Sequence, residues 1–266
     1  MEYIELFGAQ VPRIGLGTWD LKGENCKTAV TNALSLGYRH IDTAEFYYNE
    51  EAVGEGILAS SVARSEIFLT TKVWPTHLAY SQVINSLNQS LQKLKTDYVD
   101  LFLIHWPSDT VPLEETIQAM EDLHHQGKTR FIGVSNFKPA LLDKARRISS
   151  LPILTDQVEY HPYLEQSKLL QYCQKNQVIL TAYCPLGRGR VIGDKVLEKI
   201  GQKYGKNSAQ VALRWLMEQE LVVAIPKAAS TSHQKENLEV FDFQLTPEEI
   251  AEINQLKRGL RVASQP

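Results

Sequence analysis

Short apolar runs alternate with amphipathic stretches along nearly the whole chain, and the two periodicities predict strands and helices in succession. The runs IGLGTW (14–19), YRHIDT (38–43), IFLTTKV (67–73), VDLFLIH (99–105), FIGVS (131–135), LTDQVE (154–159), VILTAY (178–183) and VVAIP (222–226) read as eight buried strands. Residues 26–36, 81–94, 113–125, 140–148 and 166–175 carry helical spacing between them. Ahead of these, YIEL and VPRI, separated by FGAQ, predict a short hairpin. Eight β–α alternations are what a closed (β/α)8 barrel requires. The expected fold is therefore a TIM barrel behind an N-terminal β-hairpin, as one domain over residues 1–266. An open doubly wound sheet would place GxGxxG after its first strand, where this chain has GLGTW.

Charge narrows the partners. Twenty-eight basic against 31 acidic residues leave a net charge of -3 and no basic stripe, which argues against nucleic acid. No apolar run approaches the roughly 18 residues of a membrane span, and MEYIELFGAQ lacks the basic start of a secretory signal. Cys26, Cys173 and Cys184 are odd in number and form no CxxC, so neither a disulfide framework nor a zinc site is expected, and a reducing cytoplasm is. HExxH is absent too, and no metal is expected; nor is there a GxSxG elbow.

Candidate chemistry sits where the apolar runs end. Asp42 closes YRHIDT, Tyr47 follows in EFYYNE, Lys72 lies in IFLTTKV, and His105 ends VDLFLIH. In a parallel barrel such exits converge on one rim. A Lys on that rim needs a counter-charge, which Asp42 can supply. A charged Lys72 beside a tyrosine is expected to lower the phenol pKa from its reference of about 10, as a general acid working near neutrality requires. His105 can polarise a substrate oxygen from the other side. Spacing alone does not choose between Tyr47 and Tyr48. His161 in EYHPYL, read as having no charged neighbour, is assigned a structural role. The second half offers amides, hydroxyls and a Gly-rich turn at its strand exits, in SNF (135–137), Gln157, YCPLGRGR (183–190) and IPKAAS (225–230), which suit a ligand with rings, amides and phosphates.

GLGTW, HIDTAEFYYNEEAVGEG, TTKVW, LIHWP, GVSNF, QVEYHPYL, YCPLGRG and IPK…ENL together resemble the aldo-keto reductases, from about residue 11 to about residue 246. Within the family, the resemblance is closest to the compact bacterial 2,5-diketo-D-gluconate and methylglyoxal reductases. It implies NAD(P)H-dependent reduction of aldehydes and ketones, such as dicarbonyls and keto-sugars, with Tyr47 rather than Tyr48 as proton donor. Asp42, Tyr47, Lys72 and His105 match the catalytic tetrad. The resemblance also implies that Ser135, Asn136 and Gln157 hold the carboxamide of NADPH and that Tyr183 stacks on its nicotinamide. Leu186, Gly187 and Arg188 would wrap the pyrophosphate, and Lys227, Ser230, Glu236 and Asn237 the adenosine end. Gly17, Thr18, Trp19, Asp42, Pro185, Ile225, Pro226 and His233 complete the expected cofactor groove. Trp19, Tyr47, Trp74, His105 and Trp106 form the expected substrate end.

Two departures from the family pattern matter. Ala228 and His233 stand where the family usually has Ser and Arg. An Arg clamps the adenosine 2′-phosphate through two hydrogen bonds, which an imidazole does not reproduce. NADPH is the expected cofactor, with appreciable use of NADH. The stretches after His105 and Thr246 are also short, which predicts an open pocket and broad tolerance in a cytoplasmic monomer. The rival from another class is a non-catalytic nicotinamide-nucleotide-binding subunit of the same superfamily, which filled tetrad positions oppose.

Overall fold

The computed structural model describes residues 2–263. A two-stranded antiparallel hairpin, β1 (Tyr3–Leu6) and β2 (Ala9–Pro12), pairs Tyr3 with Pro12 and Leu6 with Ala9. Its turn is Phe7–Gly8, both residues at positive φ (51° and 81°), the geometry that matches strand twist in a two-residue loop. The second strand thus begins two residues before VPRI, because a Phe in a left-handed turn carries no Asn-Gly-type signal.

Eight parallel strands follow in the order β3 (Leu16–Gly17), β4 (His40–Asp42), β5 (Phe68–Val73), β6 (Val99–Ile104), β7 (Thr129–Ser135), β8 (Ile153–Glu159), β9 (Ile179–Tyr183) and β10 (Val222–Ala224). Neighbours in sequence are neighbours in the sheet. The ring closes where Ile14 bridges Ala224, Gly15 N donates to Ala224 O at 2.9 Å, and Gly17 N donates to Pro226 O at 3.1 Å. Outside run α1 (Gly23–Leu36), α2 (Glu50–Ala59), α3 (Tyr80–Leu94), α4 (Leu113–His125), α5 (Pro139–Ile148), α6 (Ser167–Lys175), α7 (Lys195–Tyr204), α8 (Ser208–Met217), α9 (Thr231–Leu238) and α10 (Pro247–Asn254).

Two apolar cores hold this together. One lies between strands and helices and includes Leu34, Ile41, Leu69, Phe102, Leu180 and Trp215. The other fills the N-terminal end of the barrel, where Leu6, Ala9 and Val11 of the hairpin pack on Phe68, Leu101, Leu103, Leu154, Ile179 and Val223. Burial of these side chains is the main favourable term. The hairpin plugs the bottom, and the C-terminal ends of the strands are left to build a site.

Candidate active site

Parallel register brings the strand exits to one level. Asp42 pairs with Thr70, Lys72 with Leu103, Ser135 with Gln157, and Glu159 with Tyr183. Lys72 is fully buried and donates from Nζ to Asp42 Oδ1 at 2.6 Å and Thr43 O at 2.8 Å, with Tyr47 Oη at 3.4 Å. The other Asp42 oxygen accepts Gln157 Nε2 at 2.7 Å. Tyr47 rides on a one-turn 3-10 helix, Glu45–Tyr47, and meets the His105 imidazole edge-on with ring centroids 5.5 Å apart. Tyr48 points outward, 80% exposed. The geometry joins Tyr47, not Tyr48, to Lys72.

The electrostatics correct one expectation. Burial, followed by the Asp42 carboxylate, pushes the Tyr47 phenol well above its usual pKa rather than below it. Lys72 does not offset this, because its ammonium sits closer to Asp42 and is itself shifted down by burial, against the opposing pull of Asp42. Burial, and then the Lys72 charge, hold His105 well below the ordinary imidazole range. His105 Nδ1 is sealed from solvent without a partner. An unpaired buried N–H would cost more than an unpaired lone pair there, which places the proton on Nε2, the nitrogen facing the cavity. A neutral phenol and a neutral imidazole N–H thus face one space, and both can donate to an oxygen.

That space is the deep end of a cavity of about 1200 Å³. Trp19, Phe46 and Trp74 border it against Tyr47 and His105, and Asp20, Trp106 and Ala263 also line it. Asn136, Gln157, Tyr183, Pro185, Leu186 and Arg188 continue the wall, as do Ile225 and Pro226, which hydrogen-bond to Ala182 and Gly17 at the barrel rim, and Lys227, His233, Glu236 and Asn237 complete the lining. Asn136 knots the middle together: its amide donates to His105 O and Ser135 Oγ, both at 3.0 Å, and accepts the Tyr183 hydroxyl at 2.8 Å. Gly17 lies in the floor, where a Cβ would fall 2.6 Å from Ile225 O, so only a glycine lets the two segments approach.

Some expected contacts take supporting places instead. The Ser135 hydroxyl donates to Gln157 O at 2.7 Å and that of Thr18 to Asp42 O at 2.9 Å, both inside the protein. Ser230 caps α9 by accepting His233 N, and Gly187 lies behind the wall. His161 has the charged neighbour that the sequence reading denied it. Its Nε2 lies 3.0 Å from Glu159, and the pair is completely buried outside the cavity lining, which leaves its structural assignment standing. Sequence reasoning missed Phe46, Cys184 and the wall from the α7–α8 junction, with Glu198, Gln202, Lys206 and Asn207. The available signal was the capping box of Asn207 and Gln210, which marks a helix start.

The sequence profile described as "Aldo/keto reductase family" matches residues 13–258. The chain belongs to the aldo/keto reductase family. It is 40% identical to a glyoxal reductase of Bacillus subtilis over 97% of this chain and 94% of that one. It is 41% identical to methylglyoxal reductase DkgB of Escherichia coli O157:H7, over 96% of each chain. A crystal structure of a Bombyx mori aldo-keto reductase in complex with NADP superposes with a TM-score of 0.93 at 35% identity, over 98% of this chain and 94% of that one. This aldo-keto reductase is therefore an oxidoreductase that acts on carbonyl substrates, in a family that uses nicotinamide cofactors. Among the described residues no helix is long and apolar enough to cross a membrane.

Proposed function

We propose that this enzyme reduces small aldehydes and ketones, α-dicarbonyls such as glyoxal and methylglyoxal first among them, with NADPH and to an appreciable extent with NADH. The observation that carries this reading is the convergence of the Tyr47 phenol, the Lys72–Asp42 pair and a neutral His105 on one large cavity.

A bound reduced nicotinamide supplies the hydride that the substrate carbon accepts. The chain supplies the rest. His105 donates from Nε2 to the carbonyl oxygen and polarises it, and Tyr47 gives its proton to the alkoxide as that charge develops. The phenolate left on Tyr47 lies within reach of Lys72 Nζ, whose charge stabilises it. Asp42, tied to both Lys72 and Gln157, keeps the ammonium in place.

The residues along the groove suit a dinucleotide. Asn136 and Gln157 offer amides beside the flat ring of Tyr183, and the Gly17 floor admits close approach. Arg188 follows, Lys227 presents a cation, and the His233 ring and the Ser230-capped N-terminus of α9 present further donors to phosphate. His233 gives this end a weaker grip on a 2′-phosphate than an Arg would, which supports use of both cofactors. One copy and one domain hold every residue named, and the three cysteines stay unpaired, in keeping with a monomer in a reducing cytoplasm.

The test is loss of the reduced-nicotinamide absorbance with methylglyoxal, with NADPH and NADH in parallel. Turnover with neither cofactor would sink the reading.

A further inference from the structure

Glu45 begins the turn that carries Phe46 and Tyr47, yet its carboxylate points away from the reacting groups. Oε1 accepts the backbone N–H of Trp74 and lies 3.0 Å from His77 Nδ1, while Oε2 accepts the Ser86 hydroxyl of α3 at 2.7 Å. The side chain is only 14% exposed, and it reaches three groups beyond its own turn. Among the described residues, these hydrogen bonds tie the segment after β5, with Trp74 and His77, to the Tyr47 turn.

That tie sets an aromatic wall. The Phe46 ring lies on the Trp74 indole, centroids 3.7 Å apart and planes 6° from parallel. Trp74 in turn meets His105 edge-on at 5.1 Å. All three border the cavity. Phe46 and Trp74 come from different segments, so their stacking depends on the relative placement of those segments. A mostly buried carboxylate that accepts an otherwise free backbone N–H fixes that placement more firmly than ring contact alone.

We infer that Glu45 is a positioning residue for substrate. It holds the Trp74 segment against the Tyr47 turn, and so sets the Phe46–Trp74–His105 surface on which a flat carbonyl compound rests, without taking part in proton transfer. The inference rests on the carbonyl-reductase reading above. It separates affinity for substrate from the chemical step and from cofactor binding.

The experiment compares wild type, Glu45→Ala and Glu45→Gln, with benzaldehyde as substrate. Glu45→Ala should raise KM by about tenfold, or about 1.4 kcal/mol of substrate binding. Its kcat should change by less than about threefold and its NADPH affinity should hold, the signature of lost uniform binding. The near-UV circular dichroism of the stacked tryptophan should weaken in parallel. Glu45→Gln keeps an oxygen for the Trp74 N–H and should recover most of the KM and of the near-UV band. A Glu45→Ala enzyme with unchanged KM and an unchanged band overturns the inference. So does a loss shared equally by KM, kcat and cofactor affinity, or a Gln variant no better than Ala. Wild type inactive on all carbonyls overturns the reductase reading instead, and the circular dichroism then judges the role of Glu45 in the wall by itself.

Discussion

Replacing Lys72 by Met separates what the Lys72–Asp42 pair contributes to stability from what it contributes to turnover. Methionine occupies similar volume but donates nothing. Asp42 Oδ1 would lose its 2.6 Å partner while Oδ2 kept Gln157 at 2.7 Å, leaving a buried carboxylate with half its support. Breaking one side of a buried pair costs about 3–5 kcal/mol, and the surviving Gln157 bond places this case near 3 kcal/mol. A domain with a net stability of about 5–15 kcal/mol remains folded after such a loss. Turnover should fall by at least ~100-fold, the scale on which a general acid contributes, because the phenolate loses the ammonium 3.4 Å away. The double variant Lys72→Met with Asp42→Asn removes the stranded charge. It should regain about 2 kcal/mol of stability and none of the turnover. Urea unfolding followed by tryptophan fluorescence gives the stabilities, and decay of reduced-nicotinamide absorbance gives kcat. The reasoning fails if the double variant is no more stable than Lys72→Met, or if Lys72→Met keeps more than about a tenth of wild-type kcat.

Tyr47→Phe should lose at least ~100-fold in kcat with cofactor affinity nearly unchanged, whereas Tyr48→Phe, altered on a side chain that faces solvent, should stay active; exchanged phenotypes would refute the donor assignment. Burial moves the Tyr47 phenol up and His105 down, so both should stay neutral from weakly acidic pH to about pH 9, and kcat for reduction should be flat across that window; a break near neutrality would contradict it. His233→Arg should tighten NADPH by about tenfold while barely changing NADH, read by fluorescence quenching, and equal changes for both would remove residue 233 from the phosphate. Asp156 is fully buried with Oδ2 unpartnered, and burial raises its pKa well above the usual carboxyl range. Its folded form keeps a proton that the unfolded chain releases above about pH 4, so this group's contribution falls as pH rises from there; Asp156→Asn should flatten the pH dependence and add more than about 1 kcal/mol at pH 7, and parallel unfolding curves for the two proteins would refute this.

The barrel was legible because strands buried on both faces read as short, mostly apolar runs, as in FIGVS, VILTAY and VVAIP, while YRHIDT and LTDQVE are interrupted by Arg39, His40 and Asp42 and by Asp156, Gln157 and Glu159. Its closure was harder to see. β3 and β10 contribute only short ladders, and the seam relies on Ile14, Gly15 and Gly17 meeting Ala224 and Pro226 across more than two hundred residues. No local period encodes that pairing. Helix α8, SAQVALRWLM, is buried along its whole length, so its sequence signal is the Asn207–Gln210 capping box rather than a solvent-facing polar side. Helix α9, TSHQKENL, has almost no apolar stripe, and its signal is the Ser230 cap.

The site was legible where the sequence breaks its own rule, with a charge or a titratable ring at the end of an apolar strand. A Lys inside such a strand requires a counter-charge, and the register of β4 and β5 places Asp42 where it can provide one. What spacing does not encode is how that charge is shared. The sequence puts Tyr47, Asp42 and His105 around one ammonium. Distances of 2.6 Å to Asp42 and 3.4 Å to Tyr47 then decide that the carboxylate takes most of it. Interaction energy falls with distance and burial penalises every charged form, so the nearer anion wins and the phenol keeps its proton. A donor of this kind responds only to a strong base. An alkoxide forming on the substrate is one, and the carbonyl oxygen before hydride arrives is not. In the proposed mechanism, the same burial that raises the Tyr47 pKa, against the expected fall, would couple proton delivery to the progress of reduction.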